Sequence, residues 1–422
     1  MKNKKVLVIS NNCFSMSNSN GRTLGSLFEG WPKENLAQFC VIATDPNWCL
    51  CNNYYCLEDK IVLQSFLRLR RAIGRSLEQV QLSNNCDTQR NHVGKKTLMK
   101  VLLRELVWSQ RRWCSNSFMK WIDNFNPNLV VLQFGDSMFM LEIACYISKY
   151  KRIPLVIYNT EGYYFFNDNW YHRGLLDNLI FKFYKNLYRK KVKNVMAESR
   201  YSIYLNDKLK KDYDKIFGCR STVIYNSSSL SSSLPPFSTT SQVTFSYLGN
   251  LGIDRDSALI EAGEVLQSIN KDFTINVYGN ADSDMKMRFA KASGINYRGL
   301  VSYDEVKRVI KNSDILFHVE SENGYKERHL QYAFSTKIAD SIASGKCFVL
   351  YAPKELACSE YILETNAGWL ATNKEELREV IISILENSIE RQEVLTRAQF
   401  VASQNHDYLA NAQKFQDIIL SI

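Results

Sequence analysis

The sequence predicts two doubly wound α/β domains, and three observations point to them. Short apolar runs of four to six residues alternate with longer amphipathic stretches along most of the chain, the pattern of βα units around parallel sheets. That alternation stops near the middle, in a serine- and proline-rich stretch, and then resumes at once. A chain of 422 residues that is 45% hydrophobic, with 18 Gly and 7 Pro, has material for two or three cores and no collagenous or low-complexity character.

Taken in order, residues 5–10, 38–43, 129–133, 154–158, 194–197 and 222–225 read as strands of a first domain. Between them the helical periodicity is clearest over 96–125 and 173–193. Residues 226–242, NSSSLSSSLPPFSTTSQ, predict an exposed linker rather than an element. Strand-like runs resume at 243–248, 273–278, 295–298, 314–319, 346–351 and 367–370. One intervening helix opens with a capping box, Ser302-x-x-Glu305, and 374–387 and 405–421 predict helices with no further strand. The expected layout is a first domain over 1–225, a linker at 226–242, a second domain over 243–400, and a C-terminal helix within 401–422 that can pack back on the first domain. Ligands of doubly wound sheets sit outside the carboxyl ends of the strands, so chemistry is sought in the loops that follow strands.

Composition excludes several classes. No run of 18 apolar residues occurs, so no segment is expected to span a bilayer. The opening MKNKKVLVIS is too short in its apolar part for a signal peptide, which makes the cytoplasm the expected compartment. Eleven cysteines, irregularly spaced, fit a reducing environment. Cys49, Cys51 and Cys56 cluster, but a structural zinc site wants four ligands in paired spacing, and His92, His172, His329 and His406 show no ligand spacing. No metal or other cofactor is expected.

Charge is uneven. Residues 1–200 hold 29 Lys and Arg against 15 Asp and Glu, whereas the remaining 222 hold 24 against 28. Basic amphipathic stretches at 66–77, 96–113 and 173–193 interleave cations with Leu98, Val101, Leu102, Leu106 and Trp108, and with Phe181, Phe183, Tyr184 and Tyr188. Such helices suit an anionic membrane surface, at about 1 kcal/mol per well-placed cation. Ordinary solvated faces produce the same pattern. RNA would too, but no RNA-binding motif accompanies these stretches, and no nucleic-acid partner is expected.

The densest chemical signal is Phe334-Ser-Thr-Lys-Ile-Ala-Asp-Ser-Ile-Ala-Ser-Gly-Lys346. Ser335 is a natural N-cap, and the unpaired amides of the first turn, from Thr336 on, form an anion site at the positive end of the helix dipole. Lys337 adds a cation there. Asp340, three residues on, offers two acceptor oxygens that suit the vicinal hydroxyls of a ribose, so phosphate plus ribose reads as a nucleotide. A surface Lys–Asp pair that complements the dipole fits the same residues. After the strand at 243–248 comes Gly249-Asn250-Leu-Gly252 and then Arg255 at a helix start, placed to clamp a diphosphate bidentately. Gly299-Leu300 follows another strand and can read a base edge with its backbone, and Tyr278 or Tyr297 can stack on the base or belong to the core.

The succession Tyr-Leu-Gly-Asn250…Arg255, Val-Tyr-Gly279, Arg-Gly-Leu-Val-Ser302, Asp-Ile-Leu-Phe-His-Val-Glu320 and Ser-Thr-Lys337-x-x-Asp340 resembles the sugar-nucleotide domain of GT-B-fold glycosyltransferases. It looks most like the family 4-like enzymes of bacterial surface-polysaccharide synthesis. The resemblance covers the whole chain in outline and is specific over about 243–352. It implies two Rossmann-like domains facing each other across a cleft, a nucleoside-diphosphate-sugar donor, and a glycan or lipid-linked acceptor. Arg255 and Lys337 would hold the diphosphate and Asp340 the ribose. Two departures stand out: the family more often has Glu at the ribose position, and the acidic residue it often carries eight positions earlier is Tyr332 here. Glu320 or Glu322 would replace that acid at the donor sugar, with Glu320 preferred.

In the first domain no Gly-x-Gly-x-x-Gly follows the first strand, which argues against a dinucleotide site. The polar loop ending Asn20-Gly21-Arg22 resembles the GT-B loop that faces donor phosphates and acceptor, although a simple capped turn also fits. Glu161, after the strand at 154–158, is placed to accept the proton of an attacking hydroxyl or to orient it. The expected activity is metal-independent glycosyl transfer, retaining by resemblance, at the inner face of the plasma membrane. A sugar-nucleotide 2-epimerase of the same fold and a non-catalytic scaffold are the alternatives.

Overall fold

The computed structural model describes residues 4–78, 97–167, 175–230, 243–321 and 330–422. The chain divides into two compact units, Met1–Ile224 with Ala412–Ile422, and Tyr225–Asn411. It therefore passes between units twice, after Ile224 and after Asn411.

Unit 1 is built on β1 (Val6–Asn12), α1 (Ser19–Ser26), β2 (Leu36–Ile42), β3 (Asn53–Cys56), α2 (Asp59–Leu67), β4 (Arg75–Ser76), α3 (Leu98–Trp108), α4 (Asn116–Phe125), β5 (Leu129–Gln133), α5 (Met138–Lys151), β6 (Leu155–Asn159), α6 (Leu175–Glu198), β7 (Ser199–Tyr204), α7 (Asp207–Phe217) and β8 (Ser221–Val223). Its eight strands run in the order β4-β3-β2-β1-β5-β6-β7-β8. All neighbours pair in parallel except the short antiparallel β4. The central strands open with apolar, buried runs at 6–9, 129–132 and 155–158, as strands covered on both faces do, and turn polar at their carboxyl ends.

Unit 2 continues with β9 (Phe245–Leu248), α8 (Arg255–Ile269), β10 (Ile275–Tyr278), α9 (Ser283–Lys291), β11 (Ile295–Gly299), α10 (Tyr303–Asn312), β12 (Ile315–Val319), α11 (Thr336–Ala343), β13 (Cys347–Tyr351), α12 (Ala357–Thr365), β14 (Trp369–Ala371), α13 (Lys374–Glu386) and α14 (Ser388–Val401). The six parallel strands run β11-β10-β9-β12-β13-β14, so the order reverses between β9 and β12. In unit 1 it reverses between β1 and β5. These are the two topological switch points, where adjacent loops diverge and leave a crevice.

The capping box at Ser302 and Glu305 forms as predicted, with each side chain bonded to the other's backbone amide. The last helix, α15 (Tyr408–Ser421), buries Phe415 and Ile419 in the unit 1 core, with Phe415 edge-on to Phe28 at 5.0 Å. Lys4 donates to the carbonyls of Ile419 and Leu420 and so complements the negative end of that helix.

Several sequence expectations differ from what forms. Residues 194–197 are the last turns of α6, because no glycine or proline interrupts that helix, and the strand begins only at Ser199. The stretch 96–125 is two helices, broken where Gln110 and Arg111 take left-handed backbone and Ser115 caps a new start. β3 and α14 were not anticipated. The stretch read as an exposed linker starts buried: Asn226 donates to the Phe334 carbonyl and Ser228 to the Asp340 carboxylate. Its remainder, 231–242, lies outside the described residues, as do His92, His172 and His329.

His406 packs with Tyr225, Phe334 and Tyr361 in unit 2, bonded to the Tyr361 hydroxyl at 2.9 Å and the Asn226 carbonyl at 2.8 Å. Burial pulls its imidazole down to about 4, against the opposing Asn226 carbonyl. The unfolded chain therefore binds a proton that the folded one refuses. Stability present above the unfolded value near 6.5 falls as pH drops through about 4, by on the order of 3 kcal/mol. Denaturant unfolding of His406→Gln at neutral pH and near pH 4.5 should show a flatter pH dependence than the wild type.

Candidate functional site

The predicted donor residues of unit 2 all fall along the carboxyl edge of its sheet. Gly249 and Asn250 follow β9, Tyr278 ends β10, Gly299 ends β11, and Glu320 follows β12. α8 and α11 start from the same edge, since each leads from the end of one parallel strand back to the start of another.

Arg255 opens α8 after Ile253 and Asp254, both in left-handed backbone, which turn the chain sharply into the helix. Its guanidinium reaches across the switch point to Glu320: Nε donates to Oε2 and Nη2 to Oε1, each at 2.9 Å. Nη1 also reaches the Gly252 carbonyl at 3.4 Å, which ties the Gly249–Gly252 turn to the same group. His318 Nε2 lies 3.0 Å from Glu320 Oε1, and Tyr247 stacks beside the imidazole. Burial alone would raise the Glu320 carboxyl, but His318 and Arg255 outweigh it and hold the group below the usual carboxylate range. Both Glu320 oxygens are thus engaged, and the side chain is 2% exposed. A cavity of about 340 Å³ lies alongside, lined in part by Asp254, Ser257, Glu320, Ser321, Tyr351 and Lys374.

Ser335 caps α11 by accepting from the Lys337 amide. The Lys337 ammonium stands 3.8 Å from Asp340 Oδ2, and Ser228 donates to Asp340 Oδ1 at 2.9 Å. Thr336 is half-buried in the first turn. Asn250 accepts from the Gly252 amide, and the Gly249 amide donates to the Tyr278 carbonyl. Gly299 has φ +85° with open space where a Cβ would point, and Leu300 is exposed. Of the two candidate stacking rings, Tyr297 is engaged: its hydroxyl donates to the Gly279 carbonyl and accepts from the Ala281 amide. Tyr278 is half-buried. Glu322 lies outside the described residues.

In unit 1 the loop after β1 is anchored. Phe14 is buried in the core, and buried Gln38 accepts from the Phe14 amide while donating to Ser10 and the Asn12 carbonyl. The helix starts at Ser19, before Gly21. Asn18 caps it, accepting from the Asn20 and Gly21 amides, so those donors already have a partner. A Cβ at Gly21 would sit 2.3 Å from the Cys13 carbonyl oxygen, a packing reason for glycine there. Arg22, the next residue, is half-buried.

Glu161 stands after β6 with its amide bonded to Asn159 Oδ1. Burial first, and then the charge of Asp136, push its carboxyl up to about 7. Asp136, in the loop after β5, was passed over in the sequence, although a strand-end Gly135-Asp136 is the signal used elsewhere. Buried Lys185 of α6 is the other residue missed; burial and neighbouring Arg189 pull its ammonium down to about 7, with Asp136 opposing.

Three Asp-x-Asp triplets, a pattern suited to metal-held diphosphate, also escaped the sequence reading: 212–214, 254–256 and 282–284. One carboxylate of each has a structural partner. Asp214 accepts from Ser221 and Lys210, Asp256 pairs with Arg288, and Asp282 caps α9. Among the described residues no group of three or more His, Cys, Asp and Glu is placed to hold a metal.

The basic helices are two-sided. Leu98, Trp108, Phe181, Tyr184 and Tyr188, read from sequence as surface anchors, are buried, because each lies on the face its helix turns to the core. The exposed apolar residues are Met99, Leu103 and Leu106 of α3 and Leu179, Phe183 and Leu187 of α6. Among the described residues no helix is long and apolar enough to cross a membrane.

Comparison with solved structures matches this architecture end to end. HepE from Anabaena, solved in complex with UDP, superposes with a TM-score of 0.63 at 13% identity, covering 99% of this chain and 100% of that one. The fold is GT-B. Sucrose-phosphate synthase from Thermosynechococcus elongatus gives a TM-score of 0.61 at 9% identity, over 99% of this chain and 98% of that one. A glycosyltransferase from Rickettsia africae gives 0.57 at 13%, with the same coverage. A family model described as glycosyl transferase-like matches residues 260–417. No curated protein matches the chain in sequence.

Removing Glu320 alone strands a buried guanidinium. Glu320→Ala should cost about 3–5 kcal/mol in denaturant unfolding of unit 2, and removing both charges with Arg255→Met and Glu320→Leu should cost far less. A single variant no worse than the double would mean that the pair is solvated.

Proposed function

We propose that this GT-B protein is a glycosyltransferase that moves a sugar from a nucleoside-diphosphate donor, held by unit 2, to a hydroxyl of a glycan or lipid-linked oligosaccharide. The observation that carries the reading is the meeting of Arg255 and Glu320 at the switch point, on the edge from which α11 starts with Lys337 and Asp340 in its first turns. The α11 amides and Lys337 would meet the charge that develops on the leaving diphosphate, and Asp340 would take the ribose hydroxyls. Arg255 would contribute from a position set by Glu320. Gly249, Asn250, Gly299 and Leu300 would shape the nucleotide pocket, with Tyr278 beside the base. The UDP-bound HepE fold and the family description over 260–417 support a nucleotide-sugar donor.

Glu161 of unit 1 would take or orient the acceptor's proton, because a carboxyl near 7 is half-ionised at neutral pH and suits that work. The finer reading is a family 4-like enzyme, retaining and metal-independent, in bacterial cell-surface polysaccharide assembly. It would act in the cytoplasm at the inner face of the plasma membrane. The exposed apolar residues of α3 and α6, interspersed with Lys100, Lys182 and Lys190, would face anionic lipid.

A thermal-shift screen over UDP-, GDP-, CMP- and dTDP-sugars should give one base a clear rise in melting temperature, since a ligand of the folded state stabilises it by mass action. The matching donor should release its nucleotide slowly with water and faster with acceptor, and Lys337→Ala should lower turnover at least tenfold, roughly 1.4 kcal/mol. Release without acceptor stimulation would favour the epimerase alternative, and no shift with any donor would favour the scaffold.

Vesicles containing phosphatidylglycerol should sediment the protein at low salt, and the pair Leu103→Asp and Phe183→Asp should abolish this. Unchanged sedimentation of that variant would remove α3 and α6 from the contact.

A further inference from the structure

α6 has 24 residues, a rise of about 36 Å, whereas the five-residue strand β6 before it spans roughly 17 Å. The helix therefore overshoots the sheet, and four residues in its middle meet the loops beyond the carboxyl edge. Tyr184 donates its hydroxyl to the Asp136 carbonyl at 3.1 Å, and Tyr188 donates to the Gly135 carbonyl at 2.9 Å. Lys185 donates to the Tyr163 carbonyl, and Arg189 donates from Nε to the Tyr164 carbonyl at 3.2 Å and from Nη2 to Asn167. Residues 184 and 188 form one row on the helix, 185 and 189 the row beside it. One row holds the loop after β5, the other the loop after β6. Those two loops carry Asp136 and Glu161.

We propose that α6 is a clamp that fixes the distance between Asp136 and Glu161, with Lys185 and Arg189 as positioning residues for the Glu161 loop. The inference rests on the reading of Glu161 as the group that handles the acceptor's proton. The choice of side chains supports it. A carbonyl can be satisfied by a neutral donor, and a buried ammonium is a costly substitute unless carboxylates stand near enough to offset its charge. Lys185 is 6% exposed and lies over the Tyr188 ring at 4.9 Å; burial and Arg189 weigh against its charge, and the Asp136 carboxylate offsets only part of that penalty. Arg189 likewise lies over the Tyr164 ring. Each basic side chain thus grips a backbone carbonyl through an N–H donor while an aromatic face packs against it.

The test uses the full chain and two readouts. Hydrogen exchange at the Glu161 amide, bonded to Asn159, and at the Phe165 amide, bonded to the Gly162 carbonyl, reports whether the loop is held. Lys185→Met should speed exchange there at least tenfold, Lys185→Arg should restore most of the protection, and Asn186→Ala, on the exposed face of the same helix, should change nothing. With UDP-glucose and water as acceptor, UDP release by Lys185→Met should lose at least tenfold in kcat with KM within twofold, because the donor site belongs to unit 2. If Lys185→Met does not fold, Tyr188→Phe and Arg189→Gln decide by the same exchange readout at the Gly135 and Glu161 loops. Unchanged exchange overturns the clamp, and faster exchange with unchanged kcat overturns the positioning role. A wild type that releases nucleotide from none of the UDP-, GDP-, CMP- and dTDP-sugars refutes the donor reading, leaving exchange alone to decide the clamp.

Discussion

The arrangement of unit 2 depends on the buried ion pair between Arg255 and Glu320. The partners are 65 residues apart and meet because β9 and β12 are neighbours in the sheet. A charged pair in so dry a place is stable only if each partner is fully bonded, and here both nitrogens of the fork and both carboxylate oxygens are engaged, with His318 completing the set. The pair fixes the entry of α8, holds the Gly249–Gly252 turn through Arg255 Nη1, and closes the end of β12. It also sets the local electrostatics. The charge of Arg255 is largely met by Glu320, so an anion at this edge would be stabilised chiefly by the amino end of α11 and by Lys337, itself partly offset by Asp340.

Unit 1 answers a different physical problem. Its first loop, rich in polar residues, is not a free phosphate cradle: Gln38, Asn18 and buried Phe14 use its donors and its apolar side chain for internal structure. The ionisable groups worth attention stand after β5 and β6 instead, where burial brings Glu161 toward neutrality and Asp136 adds to the shift. A carboxyl raised by its surroundings differs from one bonded to an arginine. The first can exchange a proton near neutral pH, while the second stays ionised and holds a cation in place. Glu161 and Glu320 are therefore chemically distinct, although sequence alone presented both as strand-end glutamates.

The legibility of the fold follows from burial. All six strands of unit 2 coincide with runs visible in the sequence, because strands covered on both faces are predominantly apolar, as β12 and β13 are, and even edge strand β11 opens with Ile295 and ends at Gly299. The reading failed where one segment serves two states. Residues 194–197 look like a strand because Val195 and Met196 are apolar, but they lie on the buried stripe of a helix that nothing interrupts. β3 was missed because Asn53–Cys56 is short and sits beside a cysteine cluster that invited a metal interpretation. The basic helices were misjudged by face: periodicity gives the spacing of apolar residues but not which side packs, and the tyrosines of α6 turned out to point inward.

By itself the sequence determined the strands of unit 2, the α/β class, the capping box at Ser302 and the candidacy of Arg255, Lys337, Asp340 and Glu161. Each of these is a local property, carried by hydrophobic run length, cap chemistry and the residue type after a strand. Only the tertiary structure decided who faces whom: that Arg255 is bound to Glu320, that Asp340 accepts from Ser228, that Gly21 is small because Cys13 lies against it, and that α6 grips two loops through Tyr184, Lys185, Tyr188 and Arg189. The reason is strand order. Which loops become neighbours depends on how the sheets are wound, and no pattern within a window of residues encodes that winding.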